Sequence, residues 1–134
     1  MNRSVSVESV KKFKDKVRQT TKRTRGRSIE TIIKELNQYL KGWRAYFKEA
    51  EVKSVFREVD SWIRRRLRCY MWKQWGRKGY RELRRRGVRN DLAWNTAKSA
   101  HGPWRISHSP ALLFALGARY FASPGLERLF VRTT

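Results

Sequence analysis

Positive charge and aromatic rings alternate along residues 62–89, and both kinds of side chain bind nucleic acids. Twelve of these residues are Lys or Arg, and Glu82 is the only acidic one. Such a density of positive charge repels itself and is offset when a polyanion lies nearby. Aromatic rings and guanidinium planes can also stack on bases. The segment therefore predicts binding to nucleic acid, with RNA favoured over DNA.

Side chains that could carry out catalysis are few. The chain has one cysteine, Cys69, and two histidines, His101 and His108. A zinc site would therefore need carboxylate ligands in a region poor in acids. No Gly-rich phosphate loop occurs, and no acidic pair offers ligands for two-metal chemistry. The sequence predicts no catalytic residue, no metal site and no cofactor.

Length and composition favour a single packed domain, with or without appendages. The 134 residues carry a formal net charge of +22, yet 40% of them are hydrophobic and 13% aromatic, which is too apolar for a disordered basic tail. A lone cysteine excludes an intrachain disulfide and fits a reducing compartment. The longest apolar run, residues 111–118, is too short to span a bilayer, and residues 1–14 lack the apolar stretch of a signal peptide. A soluble, intracellular protein without membrane contact is expected.

Two long amphipathic helices are predicted before residue 50. The first covers about residues 6–22, with Ser6 as N-cap and an apolar stripe at three- and four-residue spacing. The second begins after Ser28, and one of its faces holds Ile29, Ile32, Ile33, Leu36, Tyr39, Leu40, Trp43, Tyr46 and Phe47. Gly42 lies at the edge of this face, which predicts close approach of a neighbouring element.

A third helix is predicted over about residues 52–75. One face is apolar, and the opposite face, expected to contact phosphates and bases, holds Arg57, Arg64, Arg68, Trp72 and Trp75, with Arg65 adjoining. Trp72 and Trp75 have an alternative, which is to pack beneath the C-terminal segment. Arg66 falls on the apolar face, where it should snorkel or pair with Glu35 or Glu58.

Shorter elements are predicted after Gly76. They are a helix over about residues 80–86 ended by Gly87, a helix capped by Asn90 or Asp91 and reaching about residue 98, and a loop at residues 101–104. Ser109 followed by a proline predicts another helix start, with an apolar stripe through Phe121. A last helix would reach Leu129. The predicted fold class is all-α, with a three-helix bundle in residues 1–76 and a basic helical extension in residues 77–134.

Two motifs resemble a known family. LNQYLKGWRAYF at residues 36–47 and VFREVDSWIRRRLRCYMWKQW at residues 55–75 are similar to the maturase-specific domain of bacterial group II intron reverse transcriptases, often called domain X. KKFKDKVRQTTKRTRGRSIE at residues 11–30 resembles its first thumb helix and turn. AWNTAKSAHGPWRISHSPALLFAL at residues 93–116 resembles the C-terminal extension of intron proteins without a nuclease domain. The resemblance covers almost the whole chain.

The resemblance implies a thumb domain that grips intron RNA and the template-primer duplex and supports intron splicing and mobility. It implies a reverse transcriptase palm and fingers as further partners, and a bacterial cytoplasmic location, with association with the nucleoid left open. Splicing is catalysed by the RNA and cDNA synthesis by the palm. The chain has no YADD-like or HNH motif, so it is expected to be an excised domain, a truncated reading frame or a stand-alone descendant.

The RNA contacts of the family can be carried onto Arg64, Arg65, Arg68, Lys73, Arg77 and Lys78. The run of Arg84, Arg85 and Arg86 matches the basic character of the family more than a fixed motif. Together with the helix pattern, this gives the predicted RNA-binding set of Arg57, Arg64, Arg65, Arg68, Trp72, Lys73, Trp75, Arg77, Lys78, Arg84, Arg85 and Arg86.

Two alternatives stay open. The short helices after residue 80 could form a DNA-binding unit that engages target DNA. The chain could instead be a structural module whose apolar surface docks on a polymerase domain. An independent enzyme is disfavoured for want of ligands and nucleophiles.

Overall fold

Helices build every region of regular structure that the computed structural model describes, which comprises residues 7–22, 24–48, 53–123 and 125–126. The prediction of an all-α fold is confirmed. The helices are α1 (Val7–Thr20), α2 (Ile29–Lys48), α3 (Lys53–Trp75), a 3₁₀ turn (Gly76–Lys78), α4 (Gly79–Arg85), α5 (Asn90–Ala97), α6 (Pro103–Ile106), α7 (Pro110–Ala115) and α8 (Ala118–Ala122).

Three long helices bury the apolar faces that their periodicity predicts. Phe13 and Val17 of α1 and Ile63, Leu67 and Tyr70 of α3 are at most 1% exposed. The fully buried residues of α2 include Ile32, Leu36 and Leu40. Rings extend this core, since Phe13 stacks on Tyr39 at 5.6 Å and lies 5.4 Å from Trp43. The side chains of Tyr46 and Phe47 lie outside the described residues.

The turn between α1 and α2 is tied to both helices that follow it. The Thr31 amide donates to Ser28 Oγ at 3.2 Å, so the predicted cap of α2 is confirmed. The Tyr70 hydroxyl and Gln74 Nε2 both donate to the Arg27 carbonyl, Gln74 at 2.9 Å. These bonds fix the direction in which α2 leaves the turn. The predicted cap Ser6 and the predicted last helix through Leu129 lie outside the described residues.

A second layer of helices covers the other side of α3. Leu83 of α4, Ala93 of α5, Ile106 of α6, Leu112 of α7 and Phe121 of α8 are all buried in the same core as the long helices. The helix α3 is therefore central, with α1 and α2 on one side and α6 packed against the other. A division at residue 76 stays a prediction.

Two boundaries differ from the sequence prediction. Residues 103 and 104, the end of the loop expected at residues 101–104, instead begin the short helix Pro103–Ile106, because Pro103 supplies the fixed φ that suits a first helical position. The predicted stripe through Phe121 is broken at Leu116 and Gly117 into α7 and α8, and Leu113 of this stripe is 41% exposed. A four-residue helix and a two-residue break are both too short to alter a hydrophobic period.

Two local expectations are wrong. The N-cap of α5 is Arg89, without a side-chain cap bond, and Asn90 is already helical. Gly42 is exposed, and no described atom lies within 4 Å of a Cβ built on it. The close approach occurs at Gly79, where such a Cβ would lie 2.7 Å from the Trp72 ring.

Gly87 ends α4 as predicted. Its φ of 91° is left-handed, which glycine adopts at little cost, and the Val88 amide donates back to the Leu83 carbonyl at 3.0 Å. Across the described part of the chain, no helix is long and apolar enough to cross a membrane.

Candidate nucleic-acid interface

One side of α4 and the turn before it carries five exposed cations. This surface, called here the α4 basic surface, consists of Arg77, Lys78, Arg81, Arg84 and Arg85. The other side of the helix is buried through Gly79 and Leu83. At about 100° per residue, burial of Leu83 turns Arg81 and Arg84 toward solvent. Because one side of this short helix packs on the core, the basic residues of a nearly continuous basic segment lie on its exposed side.

Arg77 and Arg81 of this surface, and Lys73 in the last turn of α3, have no partner among the described residues to neutralise them. Lys73, Arg77 and Arg81 are exposed and make no hydrogen bond or ion pair with any described residue. By contrast, Arg84 Nη1 donates to the Val88 carbonyl at 2.9 Å, and Arg85 lies 3.3 Å from Glu82 while staying 73% exposed. The unpaired charges are the ones best placed to receive phosphates.

An aromatic pair stands beside the cations. Trp94 is 55% exposed, and its ring meets Tyr80 edge-on with centroids 5.7 Å apart. The Tyr80 hydroxyl also contacts Asn90 Oδ1, which links α4 to the start of α5. A tryptophan this open can offer a face to a base. The sequence prediction omitted both Trp94 and Arg81.

Arg86 acts inside the fold. It pairs with Glu82 at 2.5 Å, and its guanidinium lies 4.6 Å from the Trp75 ring and 5.7 Å from the Tyr120 ring. The hydrogen bond from Arg86 is the main cause that holds the pKa of Glu82 below its usual range. Arg86 thereby fastens α4 to α3 and α8.

Arg68 is buried, and the prediction that it faces outward is wrong. It is 4% exposed, and its Nε donates to the Ser107 carbonyl at 2.8 Å. Burial, together with the charges of Arg64 and Arg65, lowers its pKa to about 10. The cause is the second layer of helices, which covers the side of α3 that the helical pattern assigned to solvent.

Arg65 is half-buried by the same layer. Its Nε donates to Ser107 Oγ at 3.2 Å and its Nη2 to the Trp104 carbonyl at 2.9 Å. The guanidinium also lies over the Trp104 ring, 3.9 Å from the centroid. Its contacts connect α3 to α6, so it differs from the freely exposed cation that the pattern predicted.

Trp72 and Trp75 pack against the core. Both are half-buried, their rings lie 6.1 Å apart, and Trp72 covers Gly79. Of the two roles that the sequence left open for them, packing is the one observed.

The remaining arginines of α3 are exposed or half-buried. Arg57 is exposed, and half-buried Arg64 lines a small cavity with Asp60. Arg66 donates to Thr21 Oγ1 at 3.0 Å and to the Arg18 carbonyl at 3.1 Å. Glu35, one of its expected partners, pairs with Arg25 at 2.6 Å, which holds the pKa of Glu35 below its usual range.

No candidate metal centre is found among the described residues, where no group of three or more His, Cys, Asp or Glu comes together. Cys69 is buried.

The family model described as group II intron, maturase-specific domain, matches residues 10–88. The chain belongs to this family. Comparison with curated proteins finds no match.

The match places the maturase-specific domain on α1 to α4 and ends at Val88, just after the α4 basic surface. Arg65, Arg77 and Arg81 lie inside it, whereas Trp94 and the helices α5 to α8 follow it. A group II intron maturase type of function is supported by the match.

Proposed function

We propose that this maturase-specific domain binds group II intron RNA through the α4 basic surface, with Trp94 stacking on an unpaired base. The supporting observation is that Arg77 and Arg81 of this surface, and Lys73 in the last turn of α3, are exposed without a partner among the described residues, in a chain whose formal net charge is +22. Phosphate contacts from these cations would provide most of the affinity, and the aromatic ring would favour single-stranded parts of the RNA.

The wider role proposed here is the one that the family resemblance implies. The domain would serve as the thumb of a group II intron reverse transcriptase, in the bacterial cytoplasm, holding intron RNA for splicing and the template-primer duplex for cDNA synthesis. Polymerase palm and fingers would be its protein partners, and target DNA a second nucleic acid. In this role the chain positions the RNA that reacts and supplies no reacting group itself.

A charge-removal variant tests the surface. Lys73→Gln, Arg77→Gln and Arg81→Gln together should weaken binding of a labelled group II intron transcript at least tenfold. The slope of log affinity against log salt should become shallower by about two to three, since each lost phosphate contact changes it by about one. Filter binding at several salt concentrations measures both.

A matched control removes the same charge elsewhere. Lys11, Lys12 and Lys34 are exposed on α1 and α2, and their joint change to Gln should cause a much smaller loss. Equal losses in the two variants would show that net charge, not the α4 basic surface, governs binding. Circular dichroism should give the same helix content for all three proteins.

The aromatic contribution is measured separately. Trp94→Ala should weaken binding to single-stranded RNA by about tenfold, because a stacked base contributes about 1–3 kcal/mol. Trp94→Phe should keep much of the affinity. Competition by duplex DNA at matched salt distinguishes RNA preference from general binding of nucleic acid.

A further inference from the structure

A groove beyond the family match gathers positive and hydrogen-bonding side chains. It encloses about 430 Å³ between α3, α5 and the segment around α6, and none of the residues that line it is acidic. Its charged and imidazole side chains are Arg65, Arg105, His101 and His108. Arg65 alone among these four lies within residues 10–88. A neighbouring groove of about 390 Å³ contains Glu58, which makes it less suited to an anion.

Arg65 brings a fixed positive charge to this groove. Its bonds to Ser107 and Trp104 use Nε and Nη2, while Nη1 has no acceptor among the described residues. The Trp104 ring holds the guanidinium plane in place at 3.9 Å. A charge that is already ordered loses little conformational entropy when it binds a ligand.

Other donors around the groove have no side-chain partner in the part of the chain that the structure describes. The side chains of Arg105, His101 and His108 are exposed and form no hydrogen bond with a described residue. Ser109 Oγ is shielded from solvent and also lacks a hydrogen-bond partner in the described structure. A ligand with several oxygen atoms and a negative charge would satisfy the exposed arginine and histidine side chains, and phosphate is such a group.

The groove adjoins the proposed stacking residue. Asn95 lines it and follows Trp94 on α5, about 100° further around the helix. The groove has the volume of a small-molecule site, which is enough for one nucleotide. We propose that it binds the sugar-phosphate of a nucleotide whose strand runs past Trp94. This inference rests on the proposed RNA binding and extends the contact surface beyond the matched domain.

A double variant tests the groove. Arg105→Gln with His101→Gln should weaken binding of a labelled single-stranded RNA about tenfold and make its salt slope shallower by about one. Arg105→Lys should keep the slope, because the charge remains. Lys34→Gln is the control for loss of one charge on α2, and it should change neither quantity. DNA of the same sequence is measured in parallel. Weaker binding of both RNA and DNA, or of RNA alone, supports the groove proposal.

The two proposals fail separately. If the groove variant binds as the unchanged protein does while the Lys73, Arg77 and Arg81 variant is weakened, the groove proposal is overturned and the α4 basic surface stands. If only the groove variant is weakened, the groove is a phosphate site and the α4 proposal fails. Because Arg105 and His101 are exposed, the groove variant should have the same melting temperature as the unchanged protein. A lower melting temperature would reveal a folding defect.

Discussion

Arg68 shows how a charged residue can be structural. Ser107 and Leu116 are the C-cap residues of α6 and α7, and both carbonyls face this one guanidinium, at 2.8 and 3.5 Å. Carbonyls at helix C-termini lack intrahelical donors and carry partial negative charge, so a buried cation stabilises them. Charge reversal at Arg68 would therefore test folding, and RNA binding is better tested at Lys73, Arg77 and Arg81.

Gly79 is the residue at which a single methyl group should matter most. Gly79→Ala places a Cβ at 2.7 Å from the half-buried Trp72 ring, so the indole must shift. Overpacking of this kind costs about 1–3 kcal/mol, against about 1 kcal/mol gained from helix propensity. We expect the free energy of unfolding to fall by about 1 kcal/mol, the difference between the middle of the overpacking range and the propensity gain, as measured by urea denaturation.

Gly42→Ala is the matched control, because Gly42 is also helical but lies in open space. That change should raise the free energy of unfolding by about 0.5–1 kcal/mol. A destabilised Gly42 variant, or an unaffected Gly79 variant, would contradict the packing described for Trp72.

Glu82 should make stability depend on acid pH. Its pKa is lowered in the folded state, chiefly by the hydrogen bond from Arg86, so it stabilises the fold above its ordinary pKa of 4.5. That contribution is lost as the pH falls through the folded pKa. Glu82→Gln should lower the free energy of unfolding by about 1 kcal/mol at pH 7 and reduce its fall between about pH 5 and 3.

Chemical denaturation across this pH range measures the effect. Asp91→Asn is the comparison, since Asp91 and its partner Arg89 are 68% and 77% exposed and should contribute almost nothing. The same pH profile for the Glu82 variant and the unchanged protein would argue against the Glu82–Arg86 pair.

At the scale of elements, α3 is covered on two sides, which explains its mixed sequence. Ile63 and Leu67 are buried in the common core, while Arg65 and Arg68 bond to α6 and the residue after it. Arginine suits such a position because its long side chain reaches backbone carbonyls while its stem packs. A polar stripe on a long helix can thus be an interface within the molecule.

Two neighbouring leucines of α7 test which face of this helix stabilises the second layer of helices. Leu112 is fully buried, and its neighbour Leu113 is 41% exposed. Leu112→Ala should lower the free energy of unfolding by about 2–5 kcal/mol, because it removes buried methyl groups and leaves a cavity. Leu113→Ala should change it by less than about 0.5 kcal/mol.

Thermal unfolding followed by circular dichroism compares the two variants. A single transition that shifts as a whole in the Leu112 variant would indicate that the second layer unfolds together with the long helices. Similar melting temperatures for the two variants would contradict the burial of Leu112.

For the whole molecule, the formal net charge of +22 should dominate the response to salt. If six or more phosphates are contacted, affinity for a group II intron transcript should fall by at least about 10³-fold between 50 and 200 mM salt. Filter binding at constant temperature measures this. A fall of less than tenfold would contradict phosphate-dominated binding and favour a module that docks on protein.

The charge is also distributed over more than one surface. Lys11, Lys12 and Lys16 are exposed on α1, and Lys14 and Arg18 lie 5.4 and 5.3 Å from the Trp62 ring. The α4 basic surface and its neighbouring groove therefore account for only part of the excess charge. Changing lysines on α1 and α2 removes charge outside them, so these lysines serve as controls.

The sequence by itself determined the three long helices, their buried faces, the cap at Ser28 and the end of α4 at Gly87. These follow from local rules, namely hydrophobic period, capping and the left-handed φ of glycine. The motifs at residues 36–47 and 55–75 also sufficed to indicate the family. Only the tertiary structure decided which cations are free. Arg68 and Arg77 carry the same charge and lie in the same basic segment. The helices within residues 103–122 fold back on α3, bury Arg68 and leave Arg77 in solvent. That difference depends on contacts between residues about forty positions apart, such as Arg68 with Ser107, which no local pattern records.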